Sequence, residues 1–177
     1  SVLIDQIIAS KNQIAERKHI DLNIFAIANS HSVYFSTNGF NADWQDQFQT
    51  PQPNSLSSII EYAKEHHLEN LILIDNTAAE SLPNRYNDFI DNGFDIVSSN
   101  KIANTLSFEF YKNLRENLKK NQKQYLYETN VGAGLPLIDN IKLLHLSGEN
   151  ITKIKGVFSG TLSYIFNLFS VENKPFS

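Results

Sequence analysis

Cysteine and methionine are both missing from this 177-residue sequence. Without cysteine there can be no disulfide, thiolate zinc site, iron–sulfur cluster or cysteine nucleophile. No sign of charge dominates: 15 Lys and Arg stand against 19 Asp and Glu, a net charge of −4. That balance argues against a nucleic-acid groove or a polybasic membrane-binding face. No apolar run approaches the roughly 20 residues of a membrane-spanning helix, and the opening residues do not read as a signal peptide. A Gly-rich phosphate loop is also lacking. The nearest match, Gly132-Ala-Gly134-Leu-Pro136, has no third glycine and follows a fourth strand where the first is required. The histidines supply no metal site: His66 and His67 are adjacent and face different sides of a helix, while His19, His31 and His145 are isolated. The absent initiator Met reads either as a piece of a longer protein or as methionines dropped from the written sequence. The length fits one domain or slightly more, enough to bury a core without covalent staples.

What is present is alternation. Residues 2–17 carry apolar positions at helical spacing. Residues 22–28 form a nearly continuous apolar run that reads as a buried strand. A polar stretch with Gly39 and Pro51-Gln-Pro53 reads as connection. Ser55 and Ser57 precede an apolar-periodic helix. Residues 71–74 form the next strand, and Pro83 opens a helix closed by Gly93. A third strand at 94–97, a helix over about 103–120 and a fourth strand at 125–127 follow. Pro136 opens another helix to about Leu146, closed by Gly148. Residues 151–158 alternate as a half-exposed strand would, and 162–169 is apolar and helical.

Strands alternating with helices predict an α/β fold with a doubly wound, Rossmann-like parallel sheet. The wet face of the last strand, as in an antiparallel sheet, marks the start of a second, α+β domain. The expected boundaries are 1–130 and 131–177.

In open α/β sheets, ligands bind beyond the carboxyl ends of the strands. Each predicted strand ends in a small polar cluster: Asn29-Ser30, Asp75-Asn76-Thr77, Ser98-Ser99-Asn100-Lys101 and Glu128-Thr129-Asn130. Ser, Asn and Asp are also ordinary turn and cap residues, so any one cluster has a plain structural reading. Four of them on one edge would line a single crevice. Lys101 stands out, because an ammonium at a strand's carboxyl end calls for an anionic or carbonyl partner.

Two long segments carry a resemblance. Tyr127-Glu-Thr-Asn-Val-Gly-Ala-Gly-Leu-Pro-Leu137 and Gly156-Val-Phe-Ser-Gly-Thr-Leu-Ser-Tyr-Ile-Phe-Asn167 resemble the most recognisable motifs of homoserine dehydrogenases. Asp75-Asn-Thr77 and Ser99-Asn-Lys-Ile-Ala-Asn104 resemble two further family segments, in the right order and spacing. Residues 22–30 and Gly39-Phe-Asn-Ala-Asp-Trp44 are most similar to the dehydrogenase half of bifunctional aspartokinase/homoserine dehydrogenases.

The resemblance implies NAD(P)H-dependent reduction of aspartate 4-semialdehyde to homoserine, on the route to threonine and methionine. It implies catalysis by Lys101 and cofactor contacts from Asn29, Ser30, Asn76, Thr77, Asn100 and Lys101. Gly160 and Thr161 match substrate contacts. Glu128, as a carboxylate, and the carbonyls of Val131, Ala133 and Leu135 match ligands of a structural monovalent cation, usually sodium. NADP is favoured over NAD, because Asn29-Ser30-His31 offers no carboxylate for the ribose hydroxyls. The family's Gly-rich loop, its acidic substrate-binding segment and a second catalytic lysine have no counterpart here, and Ile102 stands where many relatives have a further lysine. A truncated piece of a cytoplasmic, homo-oligomeric enzyme is therefore expected, inactive by itself. Its partner is a small molecule, with no nucleic acid or membrane. The competing reading is a non-catalytic scaffold or interaction piece of a larger bifunctional protein.

Overall fold

A computed structural model describes residues 1–46, 52–53, 55–157 and 159–172. The chain divides into two compact units, Ser1–Leu71 and Ile72–Ser177.

The first unit contains α1 (Val2–Lys18), β1 (Ala26–Ala28), β2 (Ser32–Phe35), β3 (Gln52–Pro53) and α2 (Leu56–Glu65). The three strands form an antiparallel sheet in the order β1-β2-β3. Asn29 makes the reversal. Its Oδ1 accepts from the backbone N–H of His31 (2.8 Å) and Ser32 (2.9 Å), and its own N–H donates to the Ser32 carbonyl. This is the local turn chemistry that suits Asn to such positions.

Two expectations change as a result. Residues 22–28 do not supply a strand of a parallel sheet, because only Ala26–Ala28 is extended and it pairs antiparallel. Its partner β2, and β3 beyond it, come from the stretch read as connection; Pro51 lies outside the described residues. An immediate reversal permits only antiparallel pairing, since a parallel neighbour needs a long crossover. Val33 is buried in this unit with Phe40, Trp44, Ile59, Ile60 and Ala63. Tyr62 stacks on Phe35 at 4.4 Å between ring centres, and the Trp44 indole donates to Asp5 Oδ1 at 2.7 Å.

The second unit has the Rossmann-like parallel sheet. β4 (Ile72–Asp75), β5 (Asp95–Ser98) and β6 (Tyr125–Leu126) pair in that order, all parallel. The crossovers contain α3 (Tyr86–Asp91), preceded by a 3-10 turn at Pro83–Arg85, and α4 (Phe108–Asn121). Gly93, at φ +88, lets the chain leave α3 for β5. The fourth helix begins later than its apolar pattern predicts. Ile102–Asn104 is a 3-10 turn, and the Ser107 hydroxyl caps α4 by accepting from Phe110 N–H.

Alternation along the strands sorts the two faces. Ile96 and Tyr125 point into a core with Tyr86, Ile90, Ala103, Leu114 and Leu118. Ile72, Ile74, Val97 and Leu126 point the other way and are exposed, so the apolar runs are covered on one face only among the described residues.

Beyond the sheet, α5 (Leu137–Leu146) follows Pro136 as predicted, and α6 (Gly160–Glu172) occupies the apolar segment near the end. Residues 151–157, expected as a half-exposed strand, form none; Phe158 lies outside the described residues. A strand is defined by its ladder, and alternation without a pairing neighbour does not make one.

Candidate functional site

Parallel pairing puts the carboxyl ends of β4 and β5 on one edge, with Asp75 opposite Ser98. The chain alternates there between a buried layer and an exposed one. Asp75, Ser98 and Asn100 are buried, with Asp75 at 0% exposure. Asn76, Thr77, Ser99 and Lys101 are exposed.

The buried layer is a hydrogen-bonded cluster. A carboxylate without access to water is costly unless donors surround it, and Asp75 has three. Its Oδ1 accepts from Thr77 N–H at 2.8 Å. Its Oδ2 accepts from the Tyr86 hydroxyl at 2.6 Å and from Asn100 Nδ2 at 3.1 Å. The Tyr86 oxygen is also 3.0 Å from Ser98 Oγ. Burial, and then the bond to Asp75, raise the Tyr86 hydroxyl well above the ordinary tyrosine range.

Asn100 ties three strand ends together. Its Nδ2 also reaches Thr77 Oγ1 (3.2 Å) and the Ala79 carbonyl (2.9 Å), both after β4. Its Oδ1 accepts from Ile102 N–H at 3.0 Å, so the side chain bridges across Lys101. Its carbonyl accepts from Asn130 Nδ2, beyond β6, at 3.2 Å. In the exposed layer, Ser99 Oγ donates to Asn76 Oδ1 at 3.0 Å. Lys101 makes no ion pair among the described residues, and its carbonyl accepts from Asn104 N–H.

At the third strand end, Glu128 begins a 3-10 turn, Glu128–Asn130. Its two carboxylate oxygens accept from Ile138 N–H and Asp139 N–H, each at 2.9 Å. A negative group on the free N–H groups at the start of α5 is favourable there. The Leu135 carbonyl accepts from Leu137 N–H at 2.9 Å. Gly132 and Ala133 both adopt positive φ, +76 and +53. Glu128 and the carbonyls of Val131, Ala133 and Leu135 are all oxygen donors, the set a hard cation prefers. The Glu128 oxygens and the Leu135 carbonyl keep a further lone pair beside their hydrogen bonds, so the chemistry of the donor set fits such an ion. Nearby, the Arg115 guanidinium lies 4.9 Å from the Tyr127 ring centre, 5.0 Å from Tyr111 and 5.4 Å from Tyr125.

The structure therefore brings Asn76, Thr77, Asn100 and Lys101 together at one sheet edge. Asn100 does so as a buried tie, with its side chain used inside the protein. Asn29 and Ser30 are in the β1–β2 hairpin turn of the other unit, so the single row of four strand ends is reduced to three in one sheet. Gly160 and Thr161 open α6, and no hydrogen bond among the described residues joins them to the cluster. Tyr86 was the residue that pattern reading missed. It sits on the apolar face of α3 with Phe89 and Ile90, and the only signal was that a buried tyrosine hydroxyl needs a partner.

Comparison with known proteins adds sequence-wide similarity. The family described as "Homoserine dehydrogenase, NAD binding domain" matches residues 3–128, and that described as "Homoserine dehydrogenase" matches residues 136–177. The bifunctional aspartokinase/homoserine dehydrogenase of Buchnera aphidicola is 40% identical over 94% of this chain and 20% of its own length. The homoserine dehydrogenase of Schizosaccharomyces pombe is 33% identical over 97% of this chain and 46% of its own. The chain thus spans about a fifth of the bifunctional relatives and about half of the shorter one. Among solved structures, a Candida auris protein of unknown function superposes with a TM-score of 0.76 at 28% identity, covering 96% of this chain and 48% of that one. A hyperthermophilic archaeal homoserine dehydrogenase in complex with NADPH has the same fold, with a TM-score of 0.53 at 22% identity, over 73% of this chain and 42% of that one.

Proposed function

The chain belongs to the homoserine dehydrogenase family, and we propose that it contributes the nicotinamide-binding edge of an enzyme reducing aspartate 4-semialdehyde to homoserine. The observation that carries this reading is the placement of Asn76 and Thr77 beside Ser99 and Lys101, at the carboxyl ends of adjacent parallel strands. That edge is where an open α/β sheet receives its ligand.

Asn76 and Thr77 would hold the nicotinamide and its ribose, and Lys101 would face the reacting carbonyl. Asn29 and Ser30 would be further cofactor contacts, and the absence of a carboxylate beside them favours NADP over NAD. When bound at this edge, the cofactor would supply the hydride for the reduction. The chain's own work is electrostatic: charge grows on the carbonyl oxygen during reduction, and the Lys101 ammonium can stabilise it and donate the proton that completes the alcohol. Gly160 and Thr161 would contact the substrate. Glu128, Val131, Ala133 and Leu135 would bind sodium as a structural ion, placing the domain boundary near Asn130. The reading includes a cytoplasmic homo-oligomer. No helix among the described residues is long and apolar enough to cross a membrane.

The test is NADPH oxidation by the full-length protein. Oxidation that requires aspartate 4-semialdehyde is the expected result. Its absence in a folded, NADPH-binding protein would leave this chain a scaffold.

A further inference from the structure

We propose that Tyr86 is a positioning residue for this edge, acting through Asp75 and Asn100 to hold Thr77 and Lys101 in place. The inference rests on the proposed reaction only for its kinetic consequence.

The chain of contacts is short and wholly inside the second unit. The Tyr86 hydroxyl donates to Asp75 Oδ2. The same oxygen accepts from Asn100 Nδ2, and the other carboxylate oxygen accepts from Thr77 N–H. Asn100 in turn holds Ile102 N–H and Thr77 Oγ1. Lys101 lies between the two anchored residues Asn100 and Ile102, and its own side chain is exposed and makes no ion pair among the described residues. Its position is therefore set by its backbone, and that backbone is set by the buried cluster. Tyr86 enters from α3, an element that contributes nothing else to the edge, and its ring is fixed against Tyr125 in an edge-on contact at 5.7 Å. A buried hydroxyl clamped on a buried carboxylate allows few alternative arrangements of the carboxylate, and so of both loops that hang from it.

Tyr86→Phe in the full-length protein separates this role from packing, because it keeps the ring and removes only the oxygen. Two measurements decide. The first is amide hydrogen exchange at Thr77, Asn100 and Ile102, whose N–H groups bond to side chains of the cluster. Exchange at these sites should quicken about tenfold in the variant, while Ile96, bonded to the Gln124 carbonyl in the sheet, stays unchanged. Unchanged exchange at all four amides, or equal quickening at all four, overturns the proposal whether or not the protein turns over aspartate 4-semialdehyde. The second is kinetic. In the presence of Lys101, the variant should lose about tenfold in kcat with less than a twofold change in KM for the aldehyde. In a Lys101→Ala background, Tyr86→Phe should cost less than twofold, since the group being positioned is gone. An equal loss in both backgrounds makes Tyr86 merely structural. An inactive parent protein with locally quickened exchange would defeat the proposed reaction and leave the positioning role standing. If Tyr86→Phe does not fold, Ser98→Ala, which removes the other neighbour of the same hydroxyl, takes both measurements with the same overturning results, its exchange read only at Thr77, Ile102 and Ile96 because Asn100 N–H loses its own acceptor in that variant.

Discussion

The Tyr86 hydroxyl lies 2.6 Å from Asp75 Oδ2, and neither residue has any solvent exposure. The pair makes stability sensitive to alkali. Burial first, and the carboxylate second, raise the Tyr86 pKa in the folded state. Burial also raises that of Tyr125. Below the ordinary tyrosine value near 10 both states are protonated and the contribution to stability is complete. Above it the unfolded chain releases protons that the folded chain retains, so stability falls as pH rises. The expected slope is up to about 1.4 kcal/mol per pH unit for each such tyrosine. Urea denaturation between pH 9 and 11 should show the decline, and Tyr86→Phe should flatten it by about one such increment.

The sequence pattern carried the parallel sheet well and the first unit poorly, for one physical reason. Each of the runs at β4, β5 and β6 is separated from the next by a helix, and a helix between two strands permits parallel pairing. Near Asn29 a side chain closes the turn, and nothing in the apolar pattern of residues 22–28 distinguishes a strand that continues from one that doubles back. The site divides in the same way. Asn76, Thr77 and Lys101 were legible as polar residues at strand ends. Whether a polar strand-end residue faces ligand or core depends on strand parity, and parity buries Asp75 and Ser98 while leaving Asn76 and Ser99 exposed. Tyr86 was invisible because its partner is eleven residues away, across a turn.

Lys101 should be dispensable for folding and necessary for turnover. It is exposed and makes no ion pair among the described residues, so its replacement disturbs no packing. In the full-length protein, Lys101→Ala should lower kcat by about 10²- to 10⁴-fold, the usual worth of a positioned proton donor. Its melting temperature should stay within a degree or two of the parent. An unchanged rate in the steady-state assay would remove the ammonium from the reaction.

Gly132 and Gly134 look alike in sequence and should behave differently. Gly132 has φ +76, and a Cβ there would collide with the Leu137 side chain. A Cβ on Gly134 would meet nothing within 4 Å. Gly132→Ala should cost about 1–3 kcal/mol through backbone strain and the clash, whereas Gly134→Ala should stay within about 0.5 kcal/mol of the parent. Thermal melting of the two variants in the full-length protein decides the comparison.

Glu128 has a visible task and a proposed one, and sodium separates them. The visible task is to cap α5 through Ile138 N–H and Asp139 N–H. Glu128→Gln leaves a single acceptor oxygen for two donors and removes the negative charge at the helix start, so it should cost about 1 kcal/mol in any monovalent salt. If the carboxylate also binds sodium, an ion that binds only the folded state adds stability that grows with its concentration. The parent protein should then melt higher in sodium chloride than in choline chloride at equal ionic strength. Glu128→Gln should melt lower in both salts and lose most of the sodium increment. Equal increments in parent and variant would take the carboxylate out of the cation's shell and leave it as a helix cap, because a cap works through N–H groups that are the same in either salt.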